Sequence, residues 1–243
     1  MKKIEIIYED KDLLVVNKPA GLIVHNDGKK EQETLVDWVL ENYPEVEKVG
    51  EPISISDGVE IKRPGIVHRL DKDTSGVLII AKNQKSFLKI KKQFQDREVF
   101  KIYQAIIYGN LLKDRGIIDK PIGRNKNNFR QWLAGDKARG NLRDAITEYK
   151  VLKRSSDKQF SLLEVHPKTG RTHQIRVHLK SIHHPVVCDS LYAETMECLE
   201  SMGRLALHAS KIKFINTKGK TIEVFAPLPN DFKKTVDLLF NGN

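Results

Sequence analysis

Cysteine is scarce in this chain of 243 residues: there are two, Cys188 and Cys198. Two cysteines exclude a disulfide framework and a cysteine-built structural zinc site. They read as reduced packing residues of a cytoplasmic protein. Long hydrophobic runs are missing as well. No stretch of about 20 apolar residues occurs, so no helix is suited to span a bilayer. The N-terminal MKKIEIIYEDKD meets Glu5 and Glu9 too early for a signal peptide. No basic helix with a wide apolar face appears, which argues against a membrane-surface protein. There is no glycine-rich nucleotide loop, no internal repeat and no low-complexity tract.

Acidic residues run short after the first quarter of the chain. Residues 1–60 hold 7 Lys+Arg and 14 Asp+Glu, while the whole chain carries a net charge of +10. Residues 61–243 therefore carry +17. A basic surface of that size attracts a polyanion, nucleic acid first. Length and composition fit a soluble, globular protein with an ample core.

The densest polar stretch is His68-Arg69-Leu70-Asp71-Lys72-Asp73-Thr74-Ser75-Gly76, followed at once by Val77-Leu78-Ile79-Ile80-Ala81. The apolar run reads as a buried strand. A polar loop feeding such a strand holds its side chains in fixed positions, where function concentrates. Asp71, with Arg69 two residues before it, is a candidate catalytic carboxylate kept ionised by a cation. The loop taken alone is equally compatible with a turn ordered by side-chain hydrogen bonds.

Along the chain, Ile4–Tyr8 and Leu13–Asn17 read as two strands, and Lys18-Pro19-Ala20-Gly21 as a fixed turn. Residues 34–43 read as a helix ended by Pro44, and residues 45–62 as an acidic loop. Asn83 is placed to cap a helix over Gln84–Arg97. Val99–Tyr108 is a strand. Residues 113–143 hold nine Lys+Arg and three acids, with Phe129 and Trp132 among them. They read as a basic excursion, hairpin-like, suited to loop RNA as well as to a plain surface loop. Within it, Lys137 and Arg139 are candidates for phosphate contact. Ala145–Leu152 and Phe160–Val165 form a hairpin, Thr172–Ile182 a helix and Thr221–Ala226 a strand. Asn230 caps a final helix. His173, His178 and His183 are spaced by five, about 140° apart around a helix axis, so they share no face for a metal.

Several of these strings resemble one family. HRLDKDTSG before an apolar strand resembles the signature loop of the RluA family of RNA pseudouridine synthases. NKPAG followed by a His, the K-x-Y-x-A of Lys101–Ala105, TGRTHQIRVHL and HPVVCDSLY resemble further motifs of that family, from about residue 4 to about residue 229. Cys188 stands where the family pattern has Gly. The resemblance implies an α+β fold with a large mixed, mainly antiparallel sheet, flanking helices and a central basic cleft. It implies one catalytic domain over 1–243, without the small RNA-binding domain that many members carry before it. It implies Asp71 as nucleophile, Tyr103 stacking on the target base and Arg176 pairing with Asp71. It implies that Arg69 helps extrude the nucleotide, and His68, Arg171 and His173 join Lys137 and Arg139 as candidate substrate-binding residues.

The reaction that the resemblance implies is an isomerisation of uridine in rRNA or tRNA. A carboxylate suffices for it, so neither cofactor nor metal is expected. Monomer is the default state. The rival readings are an RNA-binding protein of this fold without catalysis, and a hydrolase using Asp71 with Asp73.

Overall fold

The computed structural model describes residues 3–26, 32–54, 60–135 and 138–241. In chain order the elements are β1 (Glu5–Glu9), β2 (Leu13–Lys18), α1 (Leu35–Asn42), a 3-10 turn (Pro44–Lys48), β3 (Ile53–Ser54) and β4 (Glu60–Ile61). Next come β5 (Ser75–Ala81), α2 (Gln84–Gln95), β6 (Phe100–Tyr108), β7 (Arg115–Asp119), β8 (Ile122–Arg124) and β9 (Trp132–Ala134). The chain closes with β10 (Arg139–Arg143), β11 (Ile146–Arg154), β12 (Phe160–Pro167), α3 (Gln174–Ser181), β13 (Leu207–Ile215), β14 (Thr221–Phe225) and α4 (Asn230–Phe240). The class is α+β with mainly antiparallel sheet, as the resemblance implied.

The chain forms two compact units, Met1–Phe100 with Ser210–Pro227, and Lys101–Ala209 with Leu228–Asn243. In the first, β1 pairs β2, β2 pairs β5, and β13 pairs β14, all antiparallel. β5 is buried along its whole length, which explains its unbroken run of apolar residues. Helix α1 begins at Thr34, whose hydroxyl accepts from the Asp37 N–H while Asp37 accepts from the Thr34 N–H. This capping box fixes the helix start. Asn83 caps α2 by accepting from the Ser86 N–H, as its position suggested.

The second unit orders its strands β6-β12-β11-β7, with β10-β8-β9 as a separate small sheet. Its core gathers Ala105, Ile107, Leu163, Val165, Leu179 and Phe232 among others. The basic excursion is therefore not one hairpin. β7 extends the larger sheet beside β11, and the remainder builds the three-stranded sheet.

Three local expectations are corrected. Residues 45–62 contain the 3-10 turn and the β3–β4 pair, not loop alone. Asn230 is the first residue of α4, and Pro229 occupies the cap without a side-chain bond. The fixed φ of proline suits the entry to a helix, and the Phe232 N–H of the first turn donates to Asp231 Oδ1. Finally, Cys188 and Cys198 are not separate thiols but a disulfide, with Cα atoms 4.5 Å apart. The loop between them turns back on itself, as the Ala193 N–H donating to the Asp189 carbonyl shows. That return is set by tertiary packing and is invisible in the spacing.

Candidate active site

In the first unit, the loop carrying Asp71 is anchored at three heights. At its start, Gly65 donates to the Val49 carbonyl and its own carbonyl accepts from Ala81. Gly65 has φ +68, and a Cβ there would meet the Ala81 carbonyl oxygen at 2.6 Å. Only glycine allows this approach to β5. In the middle, His68 Nε2 accepts the backbone N–H of Ile79 at 2.9 Å, and the ring stacks on Phe94 with centroids 4.5 Å apart. The acceptor role keeps His68 Nε2 unprotonated. At its end, the Lys72 carbonyl accepts from the Gly21 N–H at 2.8 Å and from Lys18 Nζ at 3.0 Å. Lys18 is fully buried, and its ammonium also donates to the carbonyls of Pro19 and Leu22. The Lys-Pro-Ala-Gly turn is thus the clamp on the signature loop. Asp71 is half-buried, whereas Arg69, Lys72 and Asp73 are exposed.

In the second unit, Tyr103 lies half-buried on β6 opposite Val165 of β12 and packs on the core. Lys101, two residues earlier, shares its face of the strand. Lys101 Nζ donates to the Thr169 carbonyl at 3.4 Å, and burial pulls its ammonium down to about 8. The turn before α3 is tied by Gln174. Its Oε1 accepts from Thr169 Oγ1 and the Arg171 N–H, and its Nε2 donates to the Ile146 carbonyl and Thr147 Oγ1.

Arg176, on α3, is buried and makes a bidentate pair with Asp189. Its guanidinium also lies over the Tyr192 ring, 5.0 Å from the centroid. Asp189 Oδ1 accepts in addition from the N–H groups of Leu191 and Tyr192. Tyr192 Oη accepts from the Trp132 N–H and meets His173 Nδ1 at 3.0 Å. The pair engages the Nε–Nη2 edge of Arg176. Sequence reasoning quoted HPVVCDSLY but gave Asp189 no role. The available signal was an acid directly after an apolar run, where burial demands a cation.

The other expected residues are distributed as follows. Arg171 is half-buried, with Nε donating to the Asp144 carbonyl. His173 sits at the N-cap of α3 in the left-handed region. His178 is buried between Thr147 Oγ1 and the Lys120 carbonyl. Arg139 is exposed on β10, opposite Arg124. Lys137 lies outside the described residues. Nearby, Arg124 stacks over Trp132 at 4.3 Å, and Phe129 is exposed with Arg130 beside its ring. Exposed arginines interleaved with aromatic rings suit single-stranded nucleic acid.

The α+β fold and the signature loop are those of a class of RNA-modifying enzymes. The family model for RNA pseudouridylate synthase matches residues 12–181. An uncharacterised RNA pseudouridine synthase of Aquifex aeolicus (strain VF5) is 41% identical, over 97% of this chain and 73% of that protein. The ribosomal large subunit pseudouridine synthase D of Borreliella burgdorferi (strain ATCC 35210 / DSM 4680 / CIP 102532 / B31) is 38% identical, over 94% and 66%. Among solved structures, human RNA pseudouridylate synthase domain containing 1 superposes with a TM-score of 0.73 at 27% identity, covering 94% of this chain and 84% of that one. The chain belongs to the RNA pseudouridylate synthase family, in its RluA branch. Among the described residues, no helix is long and apolar enough to cross a membrane.

Proposed function

We propose that this protein isomerises a uridine of ribosomal RNA to pseudouridine, with its two units acting as one catalytic domain in the cytoplasm. Transfer RNA is the second substrate class. The bond from ribose C1′ to uracil N1 breaks and a bond from C1′ to C5 forms. The C5 proton leaves and N1 ends protonated, so no electrons are gained or lost. Asp71 is the nucleophile. Its carboxylate serves whether it attacks the sugar or the base.

Arg176 pairs with Asp71 in the working enzyme. Tyr103 stacks on the extruded uracil, for which a flat ring with one hydroxyl is suited. Arg69 assists extrusion. Arg171, His173, Lys137 and Arg139 bind the RNA around the target, while His68 acts through the loop it pins to β5. The observation that carries this reading is the clamped, half-buried Asp71 in a family whose relatives are named RNA pseudouridine synthases.

Pseudouridine mapping of total RNA tests it, comparing a strain lacking the protein with strains carrying wild type or Asp71→Ala. Wild type restores a site that the deletion loses, and Asp71→Ala does not. Restoration by Asp71→Ala would remove Asp71 from the chemistry. No altered site in the deletion strain would favour an RNA-binding protein without catalysis.

A further inference from the structure

The loop between β8 and β9 presents an aromatic ring to water. Phe129 is 74% exposed, more than any other Phe, Tyr or Trp among the described residues. Single exposed apolar side chains are common, so the surroundings decide whether this one has a use.

The loop that carries it is built rather than loose. Asn128 Oδ1 accepts from the Arg130 N–H at 3.0 Å, and the Asn128 carbonyl accepts from the Gln131 N–H at 3.0 Å. Asn125 Oδ1 accepts from the Asn127 N–H at 2.9 Å. Arg124 Nη1 donates to the carbonyl of Phe129 itself at 2.7 Å, while its guanidinium stacks on Trp132. At the loop's base, Asn125 and Gln131 are joined by backbone and side-chain hydrogen bonds. Gln131 Nε2 donates to the Leu191 carbonyl at 2.8 Å, so the loop is braced on the segment that also carries Asp189 and Tyr192. The ring is therefore held out by a backbone that already has its hydrogen bonds, which lowers the ordering cost of binding to it.

The chemistry around the ring is cationic. From Ile122 to Arg143 the sequence holds six Lys+Arg and one acid. The Arg130 guanidinium lies 5.8 Å from the Phe129 ring centroid. Arg139 stands opposite Arg124 in the β8–β10 pairing, and both are exposed. Like charges directly opposite across a sheet are destabilising, a cost that a bound anion offsets. A single ring among arginines offers little apolar area to a protein. To a nucleic-acid strand it offers a flat face for a base and cations for the phosphates.

We propose that Phe129 is a stacking platform for one unpaired base of the substrate RNA, and that Arg130 holds a phosphate of the same strand. The proposal rests on the RNA-modifying reading above and adds a residue that reading leaves unused.

The test uses the full chain as wild type, Phe129→Ala, Phe129→Leu, Phe129→Trp and Arg130→Met. Thermal melts are recorded without RNA. Anisotropy follows binding of a short fluorescein-labelled single-stranded RNA across a series of salt concentrations, and of the same strand paired to its complement. Phe129→Ala is expected to melt as wild type does, because the ring is exposed. Its affinity for the single strand falls about tenfold, the scale of one base–aromatic stack. The slope of log K against log salt stays as in wild type, since no charge is removed. Phe129→Leu loses as much as Phe129→Ala, because it keeps apolar bulk but no π face, and Phe129→Trp keeps the wild-type affinity. Binding of the duplex, whose bases are already stacked, is the same in all the Phe129 variants. Arg130→Met makes the single-strand slope shallower by about 0.7, one phosphate contact.

Wild-type affinity in Phe129→Ala overturns the platform and leaves the exposed ring to a protein surface, while the RNA reading stands. Wild-type affinity in Phe129→Leu overturns stacking in favour of plain apolar contact. An unchanged slope in Arg130→Met overturns the phosphate contact. If wild type binds neither single strand nor duplex at low salt, the RNA reading itself fails, and the platform with it.

Discussion

Asp189 accepts from Arg176 Nε at 2.7 Å and from its Nη2 at 2.8 Å, across thirteen residues of chain. The pair fixes the guanidinium plane of Arg176. Asp189→Asn replaces the carboxylate that holds two edges of the buried guanidinium by a neutral amide, which costs about 2–3 kcal/mol. Urea unfolding is expected to show that loss. Release of tritium from RNA labelled at uracil C5 is expected to slow at least tenfold, with RNA affinity changed little. A turnover rate equal to wild type would show that Arg176 needs no such support.

Lys18 is expected to act on activity from outside the chemistry. Lys18→Met removes the charged donor shared by the carbonyls of Pro19, Leu22 and Lys72. The destabilisation expected is about 2–4 kcal/mol. Because one of the three carbonyls belongs to the Asp71 loop, tritium release should fall more than RNA affinity. Equal losses in both would indicate general unfolding.

The buried His178 predicts an acid-side loss of stability. Burial lowers its pKa, partly offset by the hydrogen bond to the Lys120 carbonyl, while the Lys120 charge lowers it and Asp119 raises it by smaller amounts. As pH falls through about 6.5 the unfolded chain gains a proton that the folded chain does not, so stability falls with pH until the folded pKa is reached. His178→Gln keeps a donor and an acceptor in the same place. Its denaturation midpoint should fall less than that of wild type between pH 7 and pH 5.

Lys101 gives the opposite window. Its ammonium is pulled down to about 8 by burial. Below pH 8 the folded state bears the cost of a desolvated charge, and the cost lessens as pH rises from 8 to 10.5. Lys101→Met should therefore be more stable than wild type at pH 7, by about 1–3 kcal/mol. The advantage should shrink by pH 10 in matched urea titrations.

Cys188 has φ +57, the left-handed conformation that glycine adopts most easily. Reduction of the Cys188–Cys198 disulfide should cost about 2–3 kcal/mol for a loop of this length. After both sulfurs are removed, Cys188→Gly with Cys198→Ser should be about 1 kcal/mol more stable than Cys188→Ala with Cys198→Ser. Thermal melts with thiol titration distinguish the three states.

Much of this protein was legible in its sequence because the information is local. The buried run Val77–Ala81, the Asn83 cap and the α3 stripe each depend on neighbours within one or two turns, where periodicity and capping chemistry are decisive. The motif strings likewise carry the likeness to the family. What tertiary structure alone decided are partnerships over long separations: Lys18 with the loop 54 residues on, Asp189 with Arg176, and Cys188 with Cys198. Such pairs depend on where the chain returns, and a charge or thiol reveals its partner only once burial has removed the water that would otherwise solvate it.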